Sequence, residues 1–275
     1  MLEITTKYGG PCWDRTNDHL IKRKIIAIGG GRVMVGGNRE PQTLAIDEEI
    51  VRLSGRKKPR LLFIPTASED NSEYCDAIRR LYADRLGCSM QTLLLYRDRP
   101  DRATMRNLIL GSDIIYVGGG NTLRMMKLWR RLGIDRWLDQ VRRQGAVLCG
   151  LSAGAICWFR QGNSDSRKFT DESDKTLIRV TGLGFVDALL CPHYDVEKHR
   201  RDSLRDMMRS TPGVAVALDN GTAIEIVDDR YRILTSIRNR NAWRVYRHRG
   251  HDYRERLPAG SDWQSLKELL SPGSV

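Results

Sequence analysis

The residues whose types and spacing could do chemistry begin with Gly150-Leu-Ser152-Ala-Gly154. A serine flanked at two places on either side by glycine fits a nucleophile held on a sharp strand-to-helix turn. Its flanks agree with that reading. Ala146-Val-Leu-Cys149 is a short apolar run of the kind that makes a buried strand, and Ala155-Ile-Cys-Trp-Phe159 is compatible with a helix. On so tight a turn the serine backbone is strained, and bulky residues two places away would collide. The turn also brings the hydroxyl to the start of a helix, where backbone N–H groups favour developing negative charge. The bland alternative is a small-residue turn with no chemistry.

A serine nucleophile at neutral pH needs a base, and the base needs an orienting group. The chain has five histidines. His19 lies before the first clear strand, and His248 and His251 lie in an arginine-rich stretch. His199 sits in the charged run Glu197-Lys-His-Arg-Arg-Asp, most simply a solvated helix face. His193 alone directly follows a strand-like run, Leu189-Leu-Cys-Pro192, so it can reach the same sheet edge as Ser152. For the orienting acid, Asp165 lies between nucleophile and base, in Gly162-Asn-Ser-Asp-Ser166. Asp171, Glu172, Asp174 and Asp195 compete for the role.

Gly118-Gly-Gly-Asn121 is the other candidate element. Glycines after a strand let backbone N–H groups approach a ligand, and one of them could act with the N–H of Ala153 as an oxyanion donor. A phosphate loop is the alternative, but neither G-x-G-x-x-G nor a following Gly-Lys-Ser/Thr is present. Gly29-Gly-Gly31 reads as a tight turn.

The elements that must position these residues alternate. Lys24–Ile28, Arg60–Ile64, Gln91–Tyr96 and Asp113–Val117 are apolar strand-like runs. Helical spacing marks Pro41–Ser54, Ser72–Leu86, Asp101–Leu110, Leu123–Leu132 and Ile134–Gln144 between them. Such alternation predicts a mostly parallel sheet covered on both faces, with ligands at the carboxyl ends of its strands. Ser152 and Gly118–Thr122 both fall at that edge. Arg160–Gly182 reads as a long polar loop, and Val196–Arg209 as a helix. Val214–Leu218, Thr222–Val227, Tyr231–Ser236 and Trp243–Tyr246 read as strands of an antiparallel extension, before a terminal helix at Trp263–Leu270. Residues 1–23 have no periodicity and read as an appendage. Residues 24–275 read as one α/β domain.

Composition narrows the class. With 275 residues, 40% hydrophobic and 29% charged, the chain has the balance of a soluble globular protein. Six cysteines without CxxC or metal-ligand spacing read as reduced residues of a cytoplasmic protein. A formal net charge of +12 could attract nucleic acid or an acidic substrate. The arginines crowd into Arg238–Arg256, but no helix-turn-helix, RNA-recognition or zinc-finger pattern accompanies them.

Taken together, Gly118-Gly-Gly-Asn-Thr122, Gly150-Leu-Ser-Ala-Gly-Ala155 and Pro192-His-Tyr194 resemble the peptidase family that contains peptidase E and cyanophycinase. The resemblance covers about Lys24 to Ser236. It implies a three-layer α/β fold similar to class I glutamine amidotransferases, with a C-terminal antiparallel extension in this chain. It implies Ser152 as nucleophile, His193 as base, and oxyanion or substrate-binding positions at Gly119, Gly120, Asn121 and Ala153. Peptidase E carries Asn-Asp-Met-Pro-Ile where this chain has Asn163-Ser-Asp-Ser-Arg167, so placing the acid at Asp165 requires a two-residue gap. The expected activity is serine peptidase cleavage after an N-terminal aspartate of a short peptide, without metal or organic cofactor. The expected partner is that peptide, with a homodimer left open and neither membrane nor nucleic acid expected. A cyanophycinase-like enzyme, an esterase and a basic nucleic-acid-binding protein on a degenerate scaffold are the rival readings.

Overall fold

The computed structural model describes residues 23–33, 40–196 and 198–273. The appendage expected at residues 1–23 lies, apart from Arg23, outside the described residues, and Cys12 and His19 lie outside with it.

The first half of the chain builds one parallel sheet. Its strands are β1 (Lys24–Ile28), β2 (Arg60–Ile64), β3 (Ser89–Thr92), β4 (Ile114–Val117) and β5 (Val147–Leu151), in spatial order β1-β5-β4-β2-β3. Side chains alternate across a strand, so β1, β2, β4 and β5 each feed two cores. Ile26, Ile28, Leu61 and Phe63 pack with Ile46 and Ile50 of α1 (Leu44–Leu53) and with Ile78 of α2 (Ser72–Arg79). Ile25, Ala27, Leu62 and Ile64 face the other way. They pack with Met105 and Ile109 of α3 (Arg102–Leu110), Met126 and Trp129 of α4 (Thr122–Leu132), and Leu138 of α5 (Ile134–Arg143). Burial on both faces explains why β1, β2, β4 and β5 read as apolar runs, whereas edge strand β3, expected over Gln91–Tyr96, is the partly exposed Ser89–Thr92. The result is a three-layer α/β sandwich.

The α2 helix continues as a π-helical segment over Arg80–Arg85. Asn71, Asp101 and Asn121 cap α2, α3 and α4, each side chain accepting an N–H from the first turn. Gly133, at φ 76°, closes α4 in the left-handed conformation that favours glycine.

Beyond β5 the chain departs from the sequence reading. The helix after Gly150–Gly154 is a single turn, α6 (Ala153–Ile156), and Phe159 already belongs to a strand. Arg160–Gly182, expected as a loop, holds β6 (Phe159–Ser164) and β7 (Ile178–Thr181). Burial of polar β6 is partly offset by hydrogen bonds: Asn163 Nδ2 donates to Ser203 at 3.1 Å and Ser164 to Thr122 at 3.2 Å, while Asn163 Oδ1 meets no partner among the described residues. Then follow β8 (Val186–Cys191), α7 (Lys198–Arg209), β9 (Val214–Leu218), β10 (Thr222–Val227), β11 (Arg230–Thr235), β12 (Ala242–His248), β13 (His251–Leu257), β14 (Gln264–Ser265) and α8 (Leu266–Leu270). The expected antiparallel extension is divided between two sheets. β10, β11 and β14 extend the first sheet from β1, while β12 and β13 join β9, β8, β6 and β7 in a second. The arginine-rich stretch is therefore largely a hairpin, whose outer strand β13 is the charged edge of that second sheet.

Where β4, β5 and α6 meet, the backbones touch. A Cβ on Gly154 would lie 2.0 Å from the Val117 carbonyl oxygen, and one on Gly150 would lie 2.5 Å from that of Gly154. This contact is what the glycine spacing around Ser152 serves. Gly154→Ala should therefore be destabilised by about 3 kcal/mol, the upper end for overpacking, because backbone cannot yield as a side chain can. In thermal unfolding its Tm should fall by roughly 6–12 °C. Gly260→Ala, whose Cβ would meet nothing within 4 Å, should melt as the parent does.

Candidate active site

The end of β1 supplies three consecutive carbonyls, and each holds one part of a site. Ile28 accepts the Ser152 N–H at 3.0 Å, Gly29 accepts the His193 N–H at 2.9 Å, and Gly30 accepts the Gly221 N–H at 2.8 Å. Ser152 sits at φ 56°, ψ −109°, a conformation few side chains tolerate. Its carbonyl accepts the N–H groups of Ala155 and Ile156, both at 2.9 Å, so the strained residue also starts α6. His193 follows β8 and is itself at φ 55°.

Side chains complete the arrangement. His193 Nε2 is 2.8 Å from Ser152 Oγ, and His193 Nδ1 is 2.7 Å from Asn220 Oδ1. An amide oxygen only accepts, so the imidazole proton resides on Nδ1 and the Nε2 lone pair faces the serine hydroxyl. That is the tautomer a general base requires. Gly30 makes room for it: a Cβ there would lie 2.0 Å from Asn220 Oδ1 and 2.4 Å from His193 Nδ1. Behind Asn220, Asp195 Oδ1 accepts its backbone N–H at 2.8 Å, and the other carboxylate oxygen pairs with Arg240.

The structure thus brings Ser152 and His193 together and puts Asn220, not Asp165, against the far side of the imidazole. Asp165 is turned toward cations instead, pairing with Lys168 and lying 3.4 Å from the buried Arg200 guanidinium. Of the competing acids, Asp171 and Asp174 accept hydrogen bonds within their own exposed turn, from Ser173 and Thr176. Glu172 is exposed. Asp195 accepts the Asn220 backbone N–H. His199 is exposed on α7, and His248 and His251 face each other across the β12–β13 hairpin.

The glycine run lies beside the serine. A Cβ on Gly119 would be 3.6 Å from Ser152 Cβ. Its N–H, one of the expected oxyanion donors, is directed to the Tyr74 hydroxyl at 3.3 Å. Gly120, at φ 137°, packs so closely on Ala67 that a Cβ would lie 2.1 Å from that carbonyl oxygen. Asn121 is not available to a substrate: besides capping α4 it donates through Nδ2 to the Ser166 carbonyl at 3.4 Å, and it is buried. The Ala153 N–H follows Ser152 directly, at the first residue of α6.

Two parts of this site escaped the sequence reading. Asp219-Asn220-Gly221 looks like an ordinary turn between strands, and it is one, but it crosses from the second sheet to the first at His193. Gly29-Gly-Gly31 looks like a strand-ending turn. Its position after the first strand, opposite the serine turn, was the available signal.

The model of peptidase family S51 matches residues 25–234, most of the chain, including Ser152, His193 and Asn220. The chain belongs to peptidase family S51. Among relatives, it is 35% identical over 228 residues to the uncharacterized peptidase YgaJ of Bacillus subtilis, covering 82% of this chain and 91% of that one. It is 28% identical over 225 residues to peptidase E of Streptomyces coelicolor, covering 77% and 82%. Solved structures of similar fold include a peptidase from an acI-B1 actinobacterium, with a TM-score of 0.67 and 19% identity over 88% of this chain and 96% of that one. Another is a putative peptidase E of Listeria monocytogenes, with a TM-score of 0.58 and 20% identity over 78% and 98%.

Within this S51 site, Asn220 orients the imidazole by a neutral dipole rather than a carboxylate. Asn220→Ala should lower kcat by about 10–10² fold, less than the roughly 10⁴ reported for corrupting a charged triad. Asn220→Asp should stay within about tenfold of the parent. Asp165→Asn, which breaks only the pairing with Lys168 and Arg200, should leave kcat nearly unchanged. Steady-state kinetics on the three variants separate these outcomes.

Proposed function

We propose that the chain is a serine peptidase that hydrolyses short peptides after an N-terminal aspartate, through an acyl-enzyme on Ser152. The observation that carries the reading is the hydrogen-bonded series Ser152–His193–Asn220 on a strained turn. His193 Nε2 takes the hydroxyl proton as Ser152 Oγ attacks the scissile carbonyl, and the carbonyl electron pair moves onto oxygen. The resulting oxyanion lies by the Ala153 N–H at the start of α6. Collapse breaks the C–N bond, and the imidazolium returns its proton to the leaving amine. Water, deprotonated in turn by His193, then releases the acyl group.

A thiol nucleophile fits poorly. Cys149 and Cys157 flank the turn in sequence, but burial pushes both thiols well above their ordinary range. Neither offers a thiolate near neutral pH. The preference for an acidic residue is supported by the net charge of +12 and by kinship to a protein named peptidase E. A cyanophycinase-like specificity is disfavoured by the same charge, since that polymer presents arginines.

A panel of Asp-X, Glu-X, Asn-X and β-Asp-X dipeptides tests the proposal. Asp-X should be cleaved fastest. Ser152→Ala should keep the parental Tm and lose on the order of 10⁴ or more in rate. Retention of a tenth of the parental rate in Ser152→Ala would remove the nucleophile. Preferential cleavage of β-Asp-X would replace the substrate.

A further inference from the structure

Tyr74, whose hydroxyl takes the N–H of Gly119 in the glycine run beside Ser152, has no part in this mechanism. It stands in the first turn of α2, its backbone N–H donated to the capping Asn71 at 2.8 Å. Its ring meets Phe63 of β2 edge-on, with centroids 5.3 Å apart and planes at 72°. Gly118 is shaped to the ring: a Cβ there would lie 2.8 Å from Tyr74 Cε1. The hydroxyl is therefore fixed on three sides, by the helix cap, by an aromatic neighbour and by a glycine that could be nothing else.

The hydroxyl accepts the Gly119 N–H at 3.3 Å, and a Cβ on Gly119 would lie 3.6 Å from Ser152 Cβ. A phenol that accepts one hydrogen bond still has a proton to give. Among the described residues, Tyr74 Oη meets no acceptor for it. The Gly119 amide, which the resemblance would aim at the oxyanion, is spent on the phenol. The phenol, polarised by the amide that donates to it, then has the proton to offer next to Gly119.

Resting on the serine-peptidase reading, we propose that Tyr74 is a catalytic residue whose hydroxyl donates a hydrogen bond to the oxyanion formed on the Ser152 adduct, in place of the Gly119 N–H. The phenol keeps its proton throughout. Charge appears on the carbonyl oxygen as the Ser152 Oγ–C bond forms, is held by Tyr74 and Ala153, and is lost when the C–N bond breaks. Burial supports the role, pushing the Tyr74 phenol up to about 12, with Asp47 and Cys75 adding to the rise and the Gly119 N–H opposing it. The group thus remains a neutral donor over the working pH range.

Tyr74→Phe keeps the ring and removes the donor. Its kcat on Asp-X should fall about 10²-fold, the loss typical of one oxyanion donor, with KM within about threefold. Affinity for an aspartyl-peptide boronate, which forms a tetrahedral adduct on the serine, should fall by a similar factor. Unchanged kcat and boronate affinity, or a rise in KM alone, would overturn the proposal. Replacing Tyr74 with 3,5-difluorotyrosine decides the matter even if the Phe variant fails to fold. A more acidic phenol should keep the neutral rate and add an alkaline loss of kcat that the parent lacks; a profile matching the parent's would overturn the role. A parent chain inert toward every dipeptide would fail the serine-peptidase reading and Tyr74 with it. A parent that depends on Ser152 but is indifferent at position 74 would fail Tyr74 alone.

Discussion

Three carbonyls in a row at the end of β1 hold the nucleophile turn, the histidine and the turn that carries Asn220. Each accepts a backbone N–H from a different crossing of the chain, so the relative positions of Ser152, His193 and Asn220 are set by main-chain geometry before any side chain is placed. Two of the positions held, Ser152 and His193, are non-glycine residues at positive φ. Conformations of that kind cost of order 1–3 kcal/mol each and persist only where the surroundings over-determine them. The hydrogen bonds from β1, together with the backbone contact between β4 and Gly154, provide that over-determination. Gly30 completes it by leaving the space that the imidazole and the Asn220 amide fill.

The choice of an amide beside the histidine has an electrostatic counterpart. Asp195, the nearby carboxylate, is neutralised by Arg240 and touches Asn220 only through its backbone N–H. The imidazolium formed during catalysis would therefore be stabilised by an oriented dipole with a screened charge behind it. With Oδ1 toward the ring the dipole favours the Nδ1–H tautomer, but it contributes less than a carboxylate to holding positive charge. Elsewhere burial is used differently. Asp47 accepts hydrogen bonds from Tyr82 and Thr43, and burial raises its carboxyl to about 7. This makes it part of the core's polar bonding rather than of the site.

The parallel sheet was legible because apolar runs buried on both faces leave an unambiguous signal, and glycine breaks mark their ends. The serine turn was legible because backbone contact at Gly150 and Gly154 restricts residue type. His193 stood out by its place after a strand. What failed was what depends on distant partners. Asn163 and Ser164 look like loop residues until Ser203 and Thr122 are placed against them. Strand β13 reads His-Asp-Tyr-Arg-Glu-Arg-Leu, and most of it is exposed at a sheet edge, so it shows no apolar alternation. Asp165 was favoured for its position between serine and histidine in the chain, but order along the chain does not specify which carboxylate faces an imidazole. The turn at Asn220 has ordinary local chemistry; its part in the site comes from the crossing between sheets.

That crossing also fixes a sequence of events. Everything needed to shape the Ser152 turn, from β1 to α6, is encoded before residue 157, whereas His193 and Asn220 hang from β8 and β9 of the second sheet. A ribosome therefore releases the serine before the groups that would activate it. On the proposed chemistry, a nascent or half-docked chain carries an inert hydroxyl, and hydrolytic competence arrives only when the second sheet closes on the first. Folding itself then does the work that a removable propeptide does in other proteases.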